Sequence, residues 1–193
     1  MADNTRIMTG KVRLSYVHLC EPYAFQQGQE EKYSATILIP KTDTATLGRI
    51  KAAMEAATQR GVEKQWGGKR PPLINNPLHD GDGTKPSDGT EFGEECKGHW
   101  VITASSKADR KPGIVDNMCN PIIDQTEVYS GMYARVTMTF FPYSFGGKKG
   151  IGCALGNVQK LADGEPLAAS GIKAENEFGA VDIDPITGDI IKA

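Results

Sequence analysis

The stretch 128–160 constrains the fold more than any other part of the chain. Its first half alternates with period two, and one face of it is apolar, formed by Met132, Ala134, Val136, Met138 and Phe140. This pattern predicts a half-buried strand. Pro142 is expected to end that strand because it has no N–H to donate. The glycine-rich turn 144–150 then predicts a hairpin, whose second strand runs over 151–161.

The other face of the first strand is unusual for a surface that meets solvent. It places the Tyr133 ring beside the Arg135 guanidinium, where a solvated strand normally carries Lys, Glu, Thr or Ser. An aromatic ring and a guanidinium can stack on a base and neutralise its phosphate. Lys148 and Lys149 follow at the glycine-rich tip, which can approach a polyanion closely. Taken alone, the stretch fits an ordinary hairpin with a soluble tip somewhat better, so the rest of the chain has to decide between the two.

Three other stretches alternate between apolar and polar residues. They predict strands at 11–19, 32–39 and 97–107. In the first of these strands, the side chains expected on the buried face are Val12, Leu14 and Tyr16. The five predicted strands are short and scattered, which is typical of a mainly β protein.

One helix and one long loop complete the predicted elements. Asp43 is a good N-cap for a helix that runs to about Gln59, and Gly61 is expected to stop it. Residues 61–98 are rich in Gly, Pro, Asn and Asp and predict a long polar loop. Five short strands, one helix and long loops favour a small open barrel over a layered α/β enzyme.

Length and charge favour one domain with a distinct C-terminal tail. The 193 residues with 39% hydrophobic content suffice for one core, which we assign to 1–173. The N-terminus has no apolar run, so we expect a soluble, intracellular protein. Four cysteines without a CxxC pair fit reduced thiols.

The charge is divided unevenly along the chain. Of the net charge of −2, residues 174–193 carry −4 (five acids, one base) and residues 1–173 carry +2. This division predicts an acidic, flexible tail.

Three short motifs suggest other functions. The run Asp80-Gly-Asp82-Gly-Thr84 resembles a phosphatase nucleophile loop, but no buried strand precedes it. Residues 150–156 resemble a dinucleotide-binding fingerprint, but they open a strand rather than a helix. A zinc site would use His18, Cys20, Cys96 and His99, a set of pairs that arises easily by chance. We therefore expect no catalytic residue, no metal and no cofactor.

Several motifs together resemble those of single-stranded-DNA-binding proteins encoded by phages and prophages. The most specific are Tyr129-Ser-Gly131-Met-Tyr133-Ala-Arg135-Val136, Lys149-Gly150-Ile151, Leu155-Gly-Asn-Val158-Gln159-Lys160-Leu161 and Asp163-Gly164-Glu165. Supporting pieces are Val12-Arg13-Leu14-Ser15-Tyr16, Tyr33-Ser-Ala-Thr-Ile-Leu-Ile-Pro40-Lys41, Pro77-Leu78-x-Asp80-Gly81-Asp82 and Gly98-His99-Trp100-x-Ile102. Together they span about residues 8–170, so the resemblance covers a whole domain.

The resemblance implies an OB-fold-like five-stranded Greek-key barrel that binds single-stranded DNA without sequence preference. It implies work in phage or prophage DNA replication or recombination, in the cytoplasm of a bacterial host and not as an enzyme. Its partners would be phage or host replication and recombination proteins, which bind the C-terminal tail. One departure is the predicted helix, which follows the second strand where the common barrel has it after the third. The alternative is a phage structural or assembly protein without nucleic-acid binding, and a homo-oligomer is compatible with either.

A groove for a single strand needs cations at intervals with flat apolar surfaces between them. The residues expected on phosphates are Arg13, Lys97, Lys107, Arg110, Lys111, Arg135, Lys148 and Lys149. Those expected under bases are Tyr133, Tyr143 and Phe145. A second, looser cluster in the long loop comprises Trp66, Lys69 and Arg70.

Overall fold

The computed structural model describes residues 4–167, 182–187 and 189–192. In chain order its elements are β1 (Arg6–Met8), β2 (Val12–Tyr23), β3 (Lys32–Pro40), α1 (Thr44–Lys64), β4 (Leu78–Asp80), β5 (His99–Lys107), β6 (Ile114–Val115), β7 (Tyr133–Phe145), β8 (Lys148–Ala162), β9 (Asp182–Ile183) and β10 (Ile190–Lys192). Short 3₁₀ helices lie at Glu94–Cys96 and Gln125–Glu127. None of the described helices is long and apolar enough to cross a membrane.

Five strands close into a ring in the order β2-β3-β5-β8-β7, with β7 returning to β2. The β5–β8 pairing is parallel and the other four pairings are antiparallel. This is the five-stranded Greek-key barrel of the OB fold, and it confirms the predicted fold class. The short strands β1, β4 and β6 extend the sheet at β7, β5 and β8.

The β7–β8 hairpin supplies much of the core, as its alternation predicts. The five apolar side chains from Met132 to Phe140 are all buried. The prediction that Pro142 ends the strand is wrong, because β7 continues to Phe145. Among the described residues, Pro142 pairs only with β8, so its other side lies at an edge of the sheet. A proline is tolerated there because no partner strand needs its N–H. Gly146 and Gly147 form the two-residue turn with φ of 56° and 78°, the left-handed conformation that such hairpins require.

Helix α1 follows the second barrel strand, in agreement with the sequence. It is capped by Asp43, whose carboxylate accepts a hydrogen bond from the Thr46 N–H at 3.0 Å. The predicted stop at Gly61 is wrong, because the helix continues to Lys64. Gly61 instead allows close packing, since a Cβ there would lie 2.7 Å from the Trp66 ring and 2.8 Å from Pro142.

A bulge in β2 changes which side chains face the core. The register of β2 against β3 shifts between Ser15 and His18, and Tyr16 has a φ of +47°. Val12 and Leu14 are buried as predicted, but Tyr16 is 60% exposed, so the prediction that it is buried is wrong. An extra residue in one strand reverses the alternation beyond it, and a regular period cannot show this.

The long loop predicted at 61–98 is tied to the barrel. Asn75 forms a β-bridge to Gly150 of β8, and β4 pairs with β5. Phe92 packs with Cys96 on the outer side of the sheet, against Leu38 and Val101. We call residues 85–96 the strap, because they cross this outer side.

The predicted C-terminal tail, 174–193, is described in part. Within it β9 and β10 form an antiparallel pair, so this part of the tail is folded into a hairpin. Residues 174–181, 188 and 193 of the predicted tail lie outside the described residues.

Candidate nucleic-acid interface

The outer sides of β2, β3 and β5 form one continuous surface. Directly paired residues on neighbouring strands project to the same side of a sheet. One such row joins Tyr23, Lys32 and Lys107, and the next joins His18, Ser34 and Ser105. In an OB barrel the second and third strands, here β3 and β5, form the face that binds oligonucleotides.

Three rings at the end of β2 form an exposed cluster. The His18 and Tyr23 rings stack with centroids 4.4 Å apart, and Phe25 meets Tyr23 edge-on at 5.1 Å. Burial lowers the pKa of His18, which favours the neutral imidazole in this stack. Phe25 is nevertheless 59% exposed. The rings thus offer flat apolar surface beside the cationic row.

Cations flank this cluster on the β5 side. Lys107, Arg110 and Lys111 are exposed on one turn, which is held by a 2.8 Å hydrogen bond from the Arg110 N–H to the Lys107 carbonyl. Lys32 joins Lys107 and Arg110 around a cavity of 330 Å³ that Phe141 also lines. The Phe141 ring lies over Gly152 of the paired strand, where a side chain would collide with it. Phe141 is 44% exposed.

We define the outer platform by its alternation of rings and cations. Its members are His18, Tyr23, Phe25, Lys32, Lys107, Arg110, Lys111 and Phe141. Lys107, Arg110 and Lys111 were predicted from the sequence, whereas the other five were missed. Tyr23 and Phe25 follow Pro22 in a stretch without periodicity, so their signal was composition alone. Phe141 continues the alternation of Tyr133 and Arg135 along β7, a signal that was present in the sequence.

A second cationic surface lies at the tip of the β7–β8 hairpin. Lys69 and Arg70 from the long loop and Lys148 and Lys149 from the tip line one groove of 760 Å³. The two predicted clusters meet because Asn75 donates its N–H to the Lys149 carbonyl at 2.9 Å.

The aromatic residues predicted near this tip groove differ in exposure. Phe145 is 84% exposed on the hairpin. Tyr143 is half-buried, and its hydroxyl accepts a 3.3 Å hydrogen bond from the Asn75 side chain. Trp66 of the looser predicted cluster is only 4% exposed and packs on Gly61, so little of its ring is open to a base. Arg70 forms a 2.8 Å ion pair with Glu55, which holds the loop against α1.

Tyr133 and Arg135 share a face of β7, as predicted, but their neighbours occupy that face. The Lys11 ammonium lies 4.6 Å from the centroid of the Tyr133 ring, and the Arg13 guanidinium lies 5.8 Å from it. Arg13 also donates to the carbonyls of Gly131 and Glu165, at 3.2 and 2.6 Å. These residues stay predicted contacts for DNA, and a base could reach the ring only by displacing Lys11.

Arg135 and Lys97 are likewise engaged within the chain. Arg135 donates a 3.1 Å hydrogen bond to the Gln159 side chain. The Lys97 ammonium lies 3.8 Å from the carboxylate of Glu91 in the strap. We therefore rank both below the open cations of the outer platform, because a phosphate would have to compete with these partners.

The phosphatase-like motif has a structural role here. The Lys41 ammonium lies 2.5 Å from Asp80 and 2.6 Å from Asp82, and Asp82 also accepts the Gly98 N–H. The hydrogen bond from Lys41 lowers the pKa of both carboxyl groups. The two aspartates thus tie the end of β3 to the start of β5.

The residues weighed as zinc ligands are placed apart by their packing. Cys96 is the last residue of the strap and packs against Leu38 and Val101, whereas His18 stacks on Tyr23. In the part of the chain that is described, no three His, Cys, Asp or Glu side chains converge as metal ligands would.

Comparisons with known proteins agree with this geometry. The family model described as Enterobacter phage Enc34, ssDNA-binding protein, matches residues 5–189. Protein p50 of Acyrthosiphon pisum secondary endosymbiont phage 1 is 32% identical over 183 residues, 90% of this chain and 92% of that protein. The chain is similar to the single-stranded DNA-binding protein from bacteriophage Enc34 in complex with ssDNA, with TM-score 0.70, 28% identity and coverage of 85% and 90%. Gp2.5, the single-stranded DNA binding protein of bacteriophage T7, shares the fold alone, with TM-score 0.56, 13% identity and coverage of 87% and 97%.

Proposed function

The chain belongs to the Enterobacter phage Enc34 ssDNA-binding protein family, and we propose that it binds single-stranded DNA without sequence preference in phage or prophage DNA replication or recombination. It would act inside the bacterial host cell, without enzymatic activity. The observation that carries this proposal is the outer platform, where open rings alternate with open cations on the face that OB barrels use for oligonucleotides.

The platform fits a single strand better than a duplex. Tyr23, Phe25 and Phe141 offer ring faces, and a ring can stack on a base only where that base is not already stacked between neighbours. Lys32, Lys107 and Arg110 lie among them as phosphate partners. Every base has a π-face and every nucleotide has a phosphate, so these contacts do not depend on sequence. The tip groove, with Lys69, Arg70, Lys148 and Lys149, is the second proposed contact along the strand.

Titration of a fluorescent oligo-dT at two salt concentrations tests the proposal. We expect binding whose logarithmic affinity falls linearly with the logarithm of salt concentration, by about 0.7 for each phosphate contact. A duplex of the same length should bind more weakly, because its bases are stacked. A protein that binds neither oligo-dT nor a mixed-sequence strand at low salt would instead fit the structural or assembly alternative.

The double variant Asp80→Asn/Asp82→Asn should bind oligo-dT within about twofold of the wild type, because exposed ion pairs contribute little to stability. Neither protein should hydrolyse phosphate esters or cleave DNA when Mg²⁺ is added. In the wild type both carboxylates form ion pairs with Lys41. The measurement is product formation by each protein, with oligonucleotide binding as the control for folding. Metal-dependent turnover by the wild type that disappears in the variant would contradict the proposed lack of enzymatic activity.

A further inference from the structure

Tyr16 is held in a backbone conformation that its side chain disfavours. Its φ of +47° lies in the left-handed region, which costs a bulky residue free energy because its Cβ crowds the following carbonyl oxygen. Cys119 is the other described non-glycine residue with positive φ. A glycine at position 16 would relieve this cost, and the Tyr16 ring contributes little burial in return, since it is 60% exposed. Strain without compensating packing is typical of functional positions.

The bulge turns Tyr16 away from the core, and Tyr16 lines a cavity of 360 Å³ on the outer side of the barrel. Its floor is formed by Thr36, Thr103 and Val101 of the sheet, and the strap passes above it. The opposite side carries a stacked pair, His79 and Phe92, with centroids 6.4 Å apart. The sheet order is β2-β3-β5-β4, so two strands, β3 and β5, lie between Tyr16 on β2 and His79 on β4. The backbones of β2 and β4 are thus about 14 Å apart, three strand spacings.

We propose that this cavity holds one unstacked base of the bound strand against the ring of Tyr16. The inference rests on the proposed binding of single-stranded DNA and adds a base pocket to it. The cavity adjoins the outer platform, because Tyr16 lies two residues before His18 on β2. A strand lying on the platform can turn one base under the strap there.

The floor of the cavity suits any base. The hydroxyls of Thr36 and Thr103 lie 3.2 Å apart, and either can be the donor. A hydroxyl can donate one hydrogen bond and accept two, and it rotates to suit its partner. The pair can therefore meet a donor or an acceptor on a base edge. Aromatic side walls with an adaptable polar floor would hold a base without selecting its identity.

Tyr16→Gly separates a base contact from a structural role. We expect its affinity for oligo-dT to fall about 5- to 150-fold, the usual value of one stacked base. Its affinity for an abasic oligonucleotide of equal length should stay unchanged, because no base enters the cavity. Its melting temperature should equal or exceed that of the wild type, since glycine adopts positive φ without strain. Tyr16→Phe keeps the ring and should bind oligo-dT like the wild type.

Cys119→Gly is the matched control, because it relieves the same backbone strain at an exposed residue outside the cavity. It should raise the melting temperature and leave oligo-dT affinity unchanged. Three results would overturn the pocket: oligo-dT affinity retained in Tyr16→Gly, an equal loss for the abasic strand, or a lower melting temperature of Tyr16→Gly. If the wild type itself binds no oligo-dT, the proposed function has failed rather than the pocket alone.

Discussion

The double variant Lys107→Glu/Arg110→Glu should lose affinity for oligo-dT by about 100-fold at about 50 mM salt. Both side chains are exposed on the turn that ends β5, and both line the cavity beside Phe141. Removing two phosphate contacts lowers the slope of log affinity against log salt by roughly 1.4. The reversed charges add repulsion from the phosphates at low salt, so the difference from the wild type should shrink as salt is raised.

A matched control changes the net charge equally at a different place. Lys51→Glu/Lys64→Glu alters two exposed lysines on α1, away from β5. If the outer platform binds the strand, this control keeps most of its affinity. An equal loss in both double variants would show that overall charge, and not the β5 turn, sets the affinity. Melting temperatures of all three proteins show whether the fold is retained.

The double variant Tyr23→Ala/Phe25→Ala should weaken oligo-dT binding by about 1–3 kcal/mol for each base that stacks on the pair. The salt slope should stay near the wild-type value, because no cation is removed. The edge-on pair contributes about 0.5–1.5 kcal/mol to stability, so a modest fall in melting temperature is expected as well. Fluorescence titration at several salt concentrations, with thermal melting, measures both effects.

Tyr133→Ala is the comparison for this second result. The sequence predicts that a base stacks on its ring, but Lys11 lies over that ring in the structure. We expect a smaller loss of affinity than for the Tyr23 and Phe25 pair. A larger loss in Tyr133→Ala would place the base contacts on β7 and count against the outer platform.

The architecture could be predicted because strands and helices repeat their apolar residues at characteristic spacings along the sequence. Residues 132–140 alternate regularly and the whole set of inward side chains is buried, so one stretch indicated both the strand and its core face. Asp43 marked the start of α1 because an N-cap acts within one turn. The helix end predicted at Gly61 was wrong because this glycine is needed for close packing against Trp66. That contact forms only when the chain after α1 folds back.

The candidate site was harder to predict because it depends on which strands become neighbours. Lys32 and Lys107 are 75 positions apart in the chain and become paired only in the sheet. Lys69 and Lys148 meet only through the bridge from Asn75 to Gly150. The bulge at Tyr16 carries no compositional mark, since nothing in Ser15-Tyr16-Val17 distinguishes it from a regular strand.

The closure of the ring has a consequence for how the chain folds. Val12 of β2 pairs with Ala134 of β7, and β5 pairs with β8 at Ser105 and Ala154. The barrel therefore cannot close during synthesis until β8 has left the ribosome, by which time the β2–β3 hairpin has long been available to form. Contacts between such distant segments slow folding, because loop-closure entropy must be overcome before they form. We infer that premature termination before β8 yields a chain with unpaired strand edges, which are prone to aggregate.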